Sequence, residues 1–218
     1  MRGMYVPAHF APSDEEVQEL LRRGRAGDLI TPTSDGLLAT MLPLLWDEPW
    51  SRDGLGAWGS LVGHVARNNA QWKTPATGEA LVILRGPDAY ISPAWYATKR
   101  EHGRVVPTWN YVTIHAHGRF VVHDDPVWVE RLVRRLTTMH EGARAAPWSV
   151  DDAPRPYIEG QLRAIVGVEV VLDRVRGKWK LSQNRSDADI EGAIDGLEAV
   201  DERGVSVAMR ALGRTLAE

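Results

Sequence analysis

The period of the apolar positions changes several times along the chain. Ser13-Asp14-Glu15-Glu16 places Ser at a helix N-cap and Glu three residues on, a capping box. Val17, Leu20 and Leu21 then share one face, which predicts an amphipathic helix over about 13–26. From Asp28 to about His123 the helical period is lost. Short β-rich runs appear at 36–45, 60–66, 80–84 and 111–122, separated by Gly, Pro and Asp. In the last run Val112, Ile114 and Ala116 alternate with Thr113, His115 and His117, giving a buried face and a polar one. Asp125-Pro126, an N-cap followed by Pro at the first helical position, opens a helix to about Glu141 whose apolar positions are Val129, Leu132, Val133 and Leu136. A helix over 157–165, a strand over 168–175 and a mostly helical segment over 186–216 complete the pattern. Helices of crossover length do not separate the strands. The sheet is therefore expected to be antiparallel, with a barrel as the way to close its edges.

The 218 residues show no internal repeat and no low-complexity linker. They are read as a single domain over 1–218, with an N-terminal helix (about 13–26) and a C-terminal helical segment (about 186–216). Net charge is −3, so any nucleic-acid contact must come from a local basic face. The chain has no cysteine, which removes disulfides, thiolate metal sites and a Cys nucleophile. The first residues lack the apolar core of a signal peptide, and no apolar run approaches the ~18 residues of a spanning helix. The expectation is a cytoplasmic protein without a membrane partner. Nine Trp stand against two Phe. Because an indole N–H needs a partner, this excess suggests a pocket or an interface, with an idiosyncratic core as the alternative.

Several stretches carry candidate chemistry. Gly54-Leu55-Gly56-Ala57-Trp58-Gly59 matches GxGxxG, but no strand precedes it and no helix follows, so it reads as a hairpin turn and not a dinucleotide fingerprint. His115 and His117 share a strand face with no carboxylate at metal-site spacing, and no metal site is assigned. Arg131, Arg134 and Arg135 form a basic helix face, suited to phosphate backbone but more simply a solvated surface. In "GHVARNN", His64, Arg67 and Asn68 gather donors for a phosphate at a strand end; an ordinary polar turn is the rival. In "GKWKLSQNR", an extended chain puts Lys178, Lys180 and Ser182 on one face and Trp179 with Leu181 on the other. That suits an anion with an aromatic part, with Gly177 as the entering turn, and an exposed hairpin is the rival.

Five ordered stretches carry a resemblance: "MYVPAHF" from Met4, "GHVARNN", "RGPDAYISPAWY", "VPTWNY" and "GKWKLSQNR". They resemble the PaiB-type negative transcriptional regulators, part of the FMN-binding split-barrel group, over about 4–197, with residues 1–3 as an upstream extension. The resemblance implies a mainly β fold with flanking helices, a six-stranded antiparallel split β-barrel of FMN-binding type, and a homodimer with FMN at the subunit interface. On this reading Trp95, Tyr96 and Trp109 cover a ring system, and His64, Arg67 and Lys99 hold its phosphate. Asn68, Ser92, Asn110, Lys178, Lys180, Ser182 and Gln183 complete the cofactor set, and no catalytic residue is assigned. One departure stands out: Met41 occupies the position where the family carries His before the Leu-Pro of its first long strand. The implied function is transcription regulation, through DNA or a regulatory protein partner. Direct DNA contact is disfavoured by the net charge and by the lack of a helix-turn-helix. Two alternatives use the same scaffold: a flavin-dependent oxidoreductase, or a dimeric scaffold without flavin.

Overall fold

A computed structural model describes residues 3–49, 51, 53 and 55–215. Six strands, β1 (Arg25–Thr33), β2 (Gly36–Asp47), β3 (Ser60–Ala66), β4 (Ala80–Ile91), β5 (Thr108–His123) and β6 (Ile165–Lys180), pair in the order β1-β2-β3-β6-β5-β4, and β4 returns to β1 to close the antiparallel sheet. The helices are α1 (Asp14–Arg22), α2 (Thr98–His102), α3 (Pro126–Glu141), α4 (Arg155–Arg163), α5 (Asp187–Ala199) and α6 (Arg203–Thr215). The mainly β, antiparallel, closed architecture expected from the sequence is the one observed.

Several elements differ from expectation. The first helix stops at Arg22, because Gly24 turns the chain at φ +55° and Arg25 begins β1. That strand was not visible in the hydrophobic pattern, since Gly27, Asp28 and Pro32 interrupt its apolar positions. Strand β4 runs seven residues past its expected end at 84, through Arg85-Gly86-Pro87-Asp88, a sequence that reads as a turn. Gly86 is there for closeness: a Cβ on it would lie 2.7 Å from Cβ of Val112. The C-terminal segment is two helices, broken where Asp201 takes φ +63°.

The chain forms two compact units. The first comprises Glu15–Leu84 and His115–Arg176. Its β1–β2 hairpin turns through Ser34-Asp35, with Thr33 opposite Gly36, and Gly36 adopts φ +119°. Helix α3 starts as expected, with the Asp125 carboxylate accepting from Val127 N–H. Its apolar face buries Leu132 and Leu136 against Leu45 and Val62, and Val129 against Val150, Ile158 and Leu162. The second unit comprises Met1–Asp14, Arg85–Ile114 and Gly177–Glu218. In it α5 is capped by Ser186 and carries buried Ala193, Ile194 and Leu197. The boundaries between units fall inside β4, β5 and β6.

Candidate functional site

In the first unit, His64 stands on β3 opposite Gly167 of β6, the residue on which the Trp128 indole lies. Its Nδ1 is buried with no hydrogen-bond partner, and burial pushes the imidazole below the ordinary His range. Arg67 is already engaged by the protein. Its Nε donates to the Arg163 carbonyl, both terminal nitrogens donate to the Asp124 carboxylate, and Nη2 also reaches the Ile165 carbonyl. This fork ties the end of β3 to the start of β6 and lowers the Asp124 pKa through the hydrogen bond itself. Asn68 is exposed beside it. Its neighbours are structural: Asn69 bonds Thr40, and buried Gln71 donates to the Leu29 carbonyl.

The remaining expected site residues belong to the second unit, and they divide into structural and available groups. Ser92 caps a 3-10 turn by accepting from Ala94 N–H. Trp95 lies against α5 where Gly192 and Gly196 leave room. Asn110 is 1% exposed and donates to Ser182 Oγ at 3.0 Å. Gln183 braces its own turn, accepting from Leu181 N–H and donating to the Trp179 carbonyl. Ser182 corrects the alternation argument. Strand β6 ends at Lys180 and Ser182 takes φ +69°, so its side chain turns into the interior and away from Lys178 and Lys180. Gly177 lies within β6 and is no turn.

Available to a ligand in this unit are Lys99, exposed on α2, and Trp109, half exposed with its indole N–H on Asp88. Tyr96 is 1% exposed, yet its hydroxyl has no partner. Lys178 and Lys180 both lie over the Tyr111 ring, at 5.6 and 6.0 Å from its centroid, and Lys178 is equally close to Tyr5. Lys178 donates to the Tyr5 carbonyl, and Lys180 to Thr108 Oγ1 and the Trp109 carbonyl. Arg185 lies 4.8 Å over the Tyr96 ring. Burial, then Lys178, then Arg185 push the Lys180 pKa below the ordinary Lys range. Nearby Asp189 is 2% exposed; burial raises its pKa, but donation from Thr98 N–H and hydroxyl, with Arg185 close, outweighs that and leaves it low. Sequence reasoning missed Arg185, Tyr5 and Tyr111. Arg185 stood in a quoted motif but off the strand alternation, and Tyr5 meets Lys178 across 173 positions, a contact with no local signal.

The other candidates resolve as surface or structure. Arg134 pairs with Asp151 and Glu130, and Arg135 with Asp47. Among the described residues no cluster of three His, Asp or Glu could hold a metal. Gly54 lies outside the described residues. Gly56 to Gly59 form a tight bridge against the Leu172 backbone, with neither the strand nor the helix a dinucleotide site requires. Among the described Trp residues Trp46 is buried, Trp109 and Trp148 are exposed, and the others are half-buried. No helix among the described residues is long and apolar enough to cross a membrane.

Comparison with known proteins agrees with this architecture. "Protease synthase and sporulation protein PAI 2" of Bacillus subtilis is 32% identical over 197 residues, covering 89% of each chain. An uncharacterized protein of Emericella nidulans is 31% identical over 227 residues, covering 89% of this chain and 90% of its own. Among solved structures, the FAD and heme binding protein of Mycobacterium smegmatis superposes with a TM-score of 0.53 at 16% identity, covering 82% of this chain and 77% of that one. A conserved hypothetical protein of Mycobacterium tuberculosis gives a TM-score of 0.51 at 14% identity, covering 83% and 92%. At these identities the structures speak for the fold alone, a split barrel. The family model described as "Putative FMN-binding domain" matches residues 4–174, and this chain belongs to that family, whose described cofactor is FMN.

Proposed function

We propose that this protein binds FMN and acts as a homodimeric, cytoplasmic regulator of gene expression of the PaiB type. The observation that carries the reading is the near full-length likeness to a Bacillus protein named for protease synthesis and sporulation, within an FMN-binding family. The whole chain acts as one split-barrel domain, a reading supported by the three strands that cross the boundaries of both units.

The residues fit a phosphorylated flavin. A buried hydroxyl on Tyr96 and a buried Nδ1 on His64 both lack partners, and a native interior rarely leaves such atoms without a ligand or water. Lys99, Lys178 and Lys180 form no ion pair among the described residues, and Trp109 offers a half-exposed ring. Within the first unit, taken by itself, His64 and Asn68 are the polar groups on offer to such a ligand, and Arg67 fixes their strand end. Ser92, Trp95, Asn110, Ser182 and Gln183 support the site by holding its turns. Bound FMN would supply electron or hydride transfer, which links regulation to redox state.

The dimer reading is supported by the outer face of β1–β2. Leu37 and Met41 are 73% and 72% exposed, Ala39 and Pro43 lie between and beyond them, and Pro32 and Ile30 stand opposite on β1. Strand β2 is apolar on both faces, as expected of a strand covered on both sides. A second copy of the chain is the occupant that the homodimer provides. FMN titration and light scattering on the purified protein test the two halves of this reading separately.

A further inference from the structure

We propose that Lys178, Lys180 and Arg185 form an oxyanion site, built for a phosphate or phosphate monoester and walled by the rings of Tyr111, Tyr5 and Tyr96. The proposal stands on the second unit's geometry alone and does not depend on the chain binding flavin.

Two lysines and an arginine lie in this short segment. None of them forms an ion pair among the described residues. The nearest acidic influence is Asp189 on Arg185, and that carboxylate is buried and held by Thr98. Both lysine ammonium groups share the Tyr111 ring, and Arg185 follows five residues after Lys180, over the Tyr96 ring. Behind burial, Lys178 and then Arg185 disfavour the charged form of Lys180. Like charges in a half-buried setting repel, and a fold that keeps them together stores that cost until an anion arrives.

Donors remain for that anion. An ammonium has three N–H groups; Lys180 commits two and Lys178 one. The Arg185 guanidinium lies over the Tyr96 ring and forms no ion pair among the described residues, so its planar fork can meet two oxygens of one group. The ring contacts hold the cations in place without neutralising them.

Two independent features point the same way. The Tyr96 ring beneath Arg185 is 1% exposed and its hydroxyl has no partner. Ser182, between Lys180 and Arg185 in the chain, takes φ +69° and accepts from Asn110. That backbone costs energy for a non-glycine residue, and such strain persists where surrounding structure enforces it, commonly at ligand clamps. The turn is closed by the Arg185 N–H, which donates to the Ser182 carbonyl. Two lysines and an arginine match a phosphate dianion better than they match a single carboxylate.

The test is inorganic phosphate titrated at constant ionic strength, balanced with chloride, followed by calorimetry and by thermal unfolding. Wild type should bind phosphate and gain Tm, whereas chloride alone gives neither. Lys180→Met and Arg185→Gln should each weaken phosphate binding by about tenfold or more, and Lys180→Arg should retain it. Equal phosphate affinity in wild type and both neutral variants would overturn the proposal, as would an equal response to chloride. Repeating the titration with saturating FMN identifies the source. Loss of the phosphate response assigns the site to the flavin's own phosphate, and survival assigns it to a second phosphorylated ligand; both support the site. A protein that takes up no FMN but still shows the residue-dependent phosphate response would sink the flavin reading alone.

Discussion

The indole of Trp95 rests on Gly196 so closely that a Cβ there would lie 2.2 Å from the ring. Gly192, one helical turn earlier, makes the same allowance for the Trp95 carbonyl, where a Cβ would come within 2.2 Å. Trp95 is therefore the element that seats α5. Gly196→Ala gains helix propensity of about 1 kcal/mol but must displace a ring, which costs about 1–3 kcal/mol. Net destabilisation of order 1 kcal/mol is expected, read from the urea midpoint. Trp95→Ala should lose about 3 kcal/mol, and neither change should alter the phosphate response of the lysine cluster except through unfolding.

Much of the barrel could be read from the chain because its signals are local. The alternation of Val112, Ile114 and Ala116 gave β5, and Asp125-Pro126 gave α3. Strand β1 escaped because Gly27 and Pro32 break its pattern while its pairing with β2 enforces the extended chain. The candidate site was legible as a set of segments and not as partners. That Arg67 is held by Asp124, and that Ser182 turns inward onto Asn110, depends on contacts 57 and 72 positions apart. Residue type alone made both look like ligand donors.

Stability should fall on mild acidification. Burial pushes the imidazoles of His64, His115 and His117 below the ordinary His range, with the neighbouring His117 adding to the effect on His115, and Arg174 to that on His117, where Glu79 opposes it. The unfolded chain therefore takes up protons as pH drops through about 6.5, while the folded chain resists. The stability these groups contribute as neutral rings is present above that pH and is lost below it, towards their folded values. Urea midpoints at about pH 7.5 and 5.5 should differ, and His64→Gln should narrow the difference; an unchanged gap would remove His64 from this effect.

The exposed apolar face of β2 should set the oligomeric state. Leu37→Lys combined with Met41→Lys places two charges on the face assigned to the second copy, while both sites are already solvent-facing in the protomer. Light scattering should report a dimer for wild type and a monomer for the double variant, with the far-ultraviolet circular dichroism unchanged. A variant that remains dimeric would move the interface elsewhere.

Direct DNA binding should be weak and lost at physiological salt. Arg134 and Arg135 are tied to Asp151, Glu130 and Asp47, which leaves Arg131 as the one member of that face without an ion pair among the described residues. Few counterions can then be released on binding. Gel shifts that show nanomolar, sequence-selective binding at about 0.15 M salt would reverse this and make the α3 face a recognition surface.

The most direct test of the account is equilibrium titration of the purified protein with FMN, followed by flavin fluorescence and by the flavin absorption bands. The account predicts saturable binding of one FMN per chain, weakened by Lys180→Met. No fluorescence change and no retained flavin up to about 1 mM FMN, an affinity weaker than about −4 kcal/mol, would contradict it.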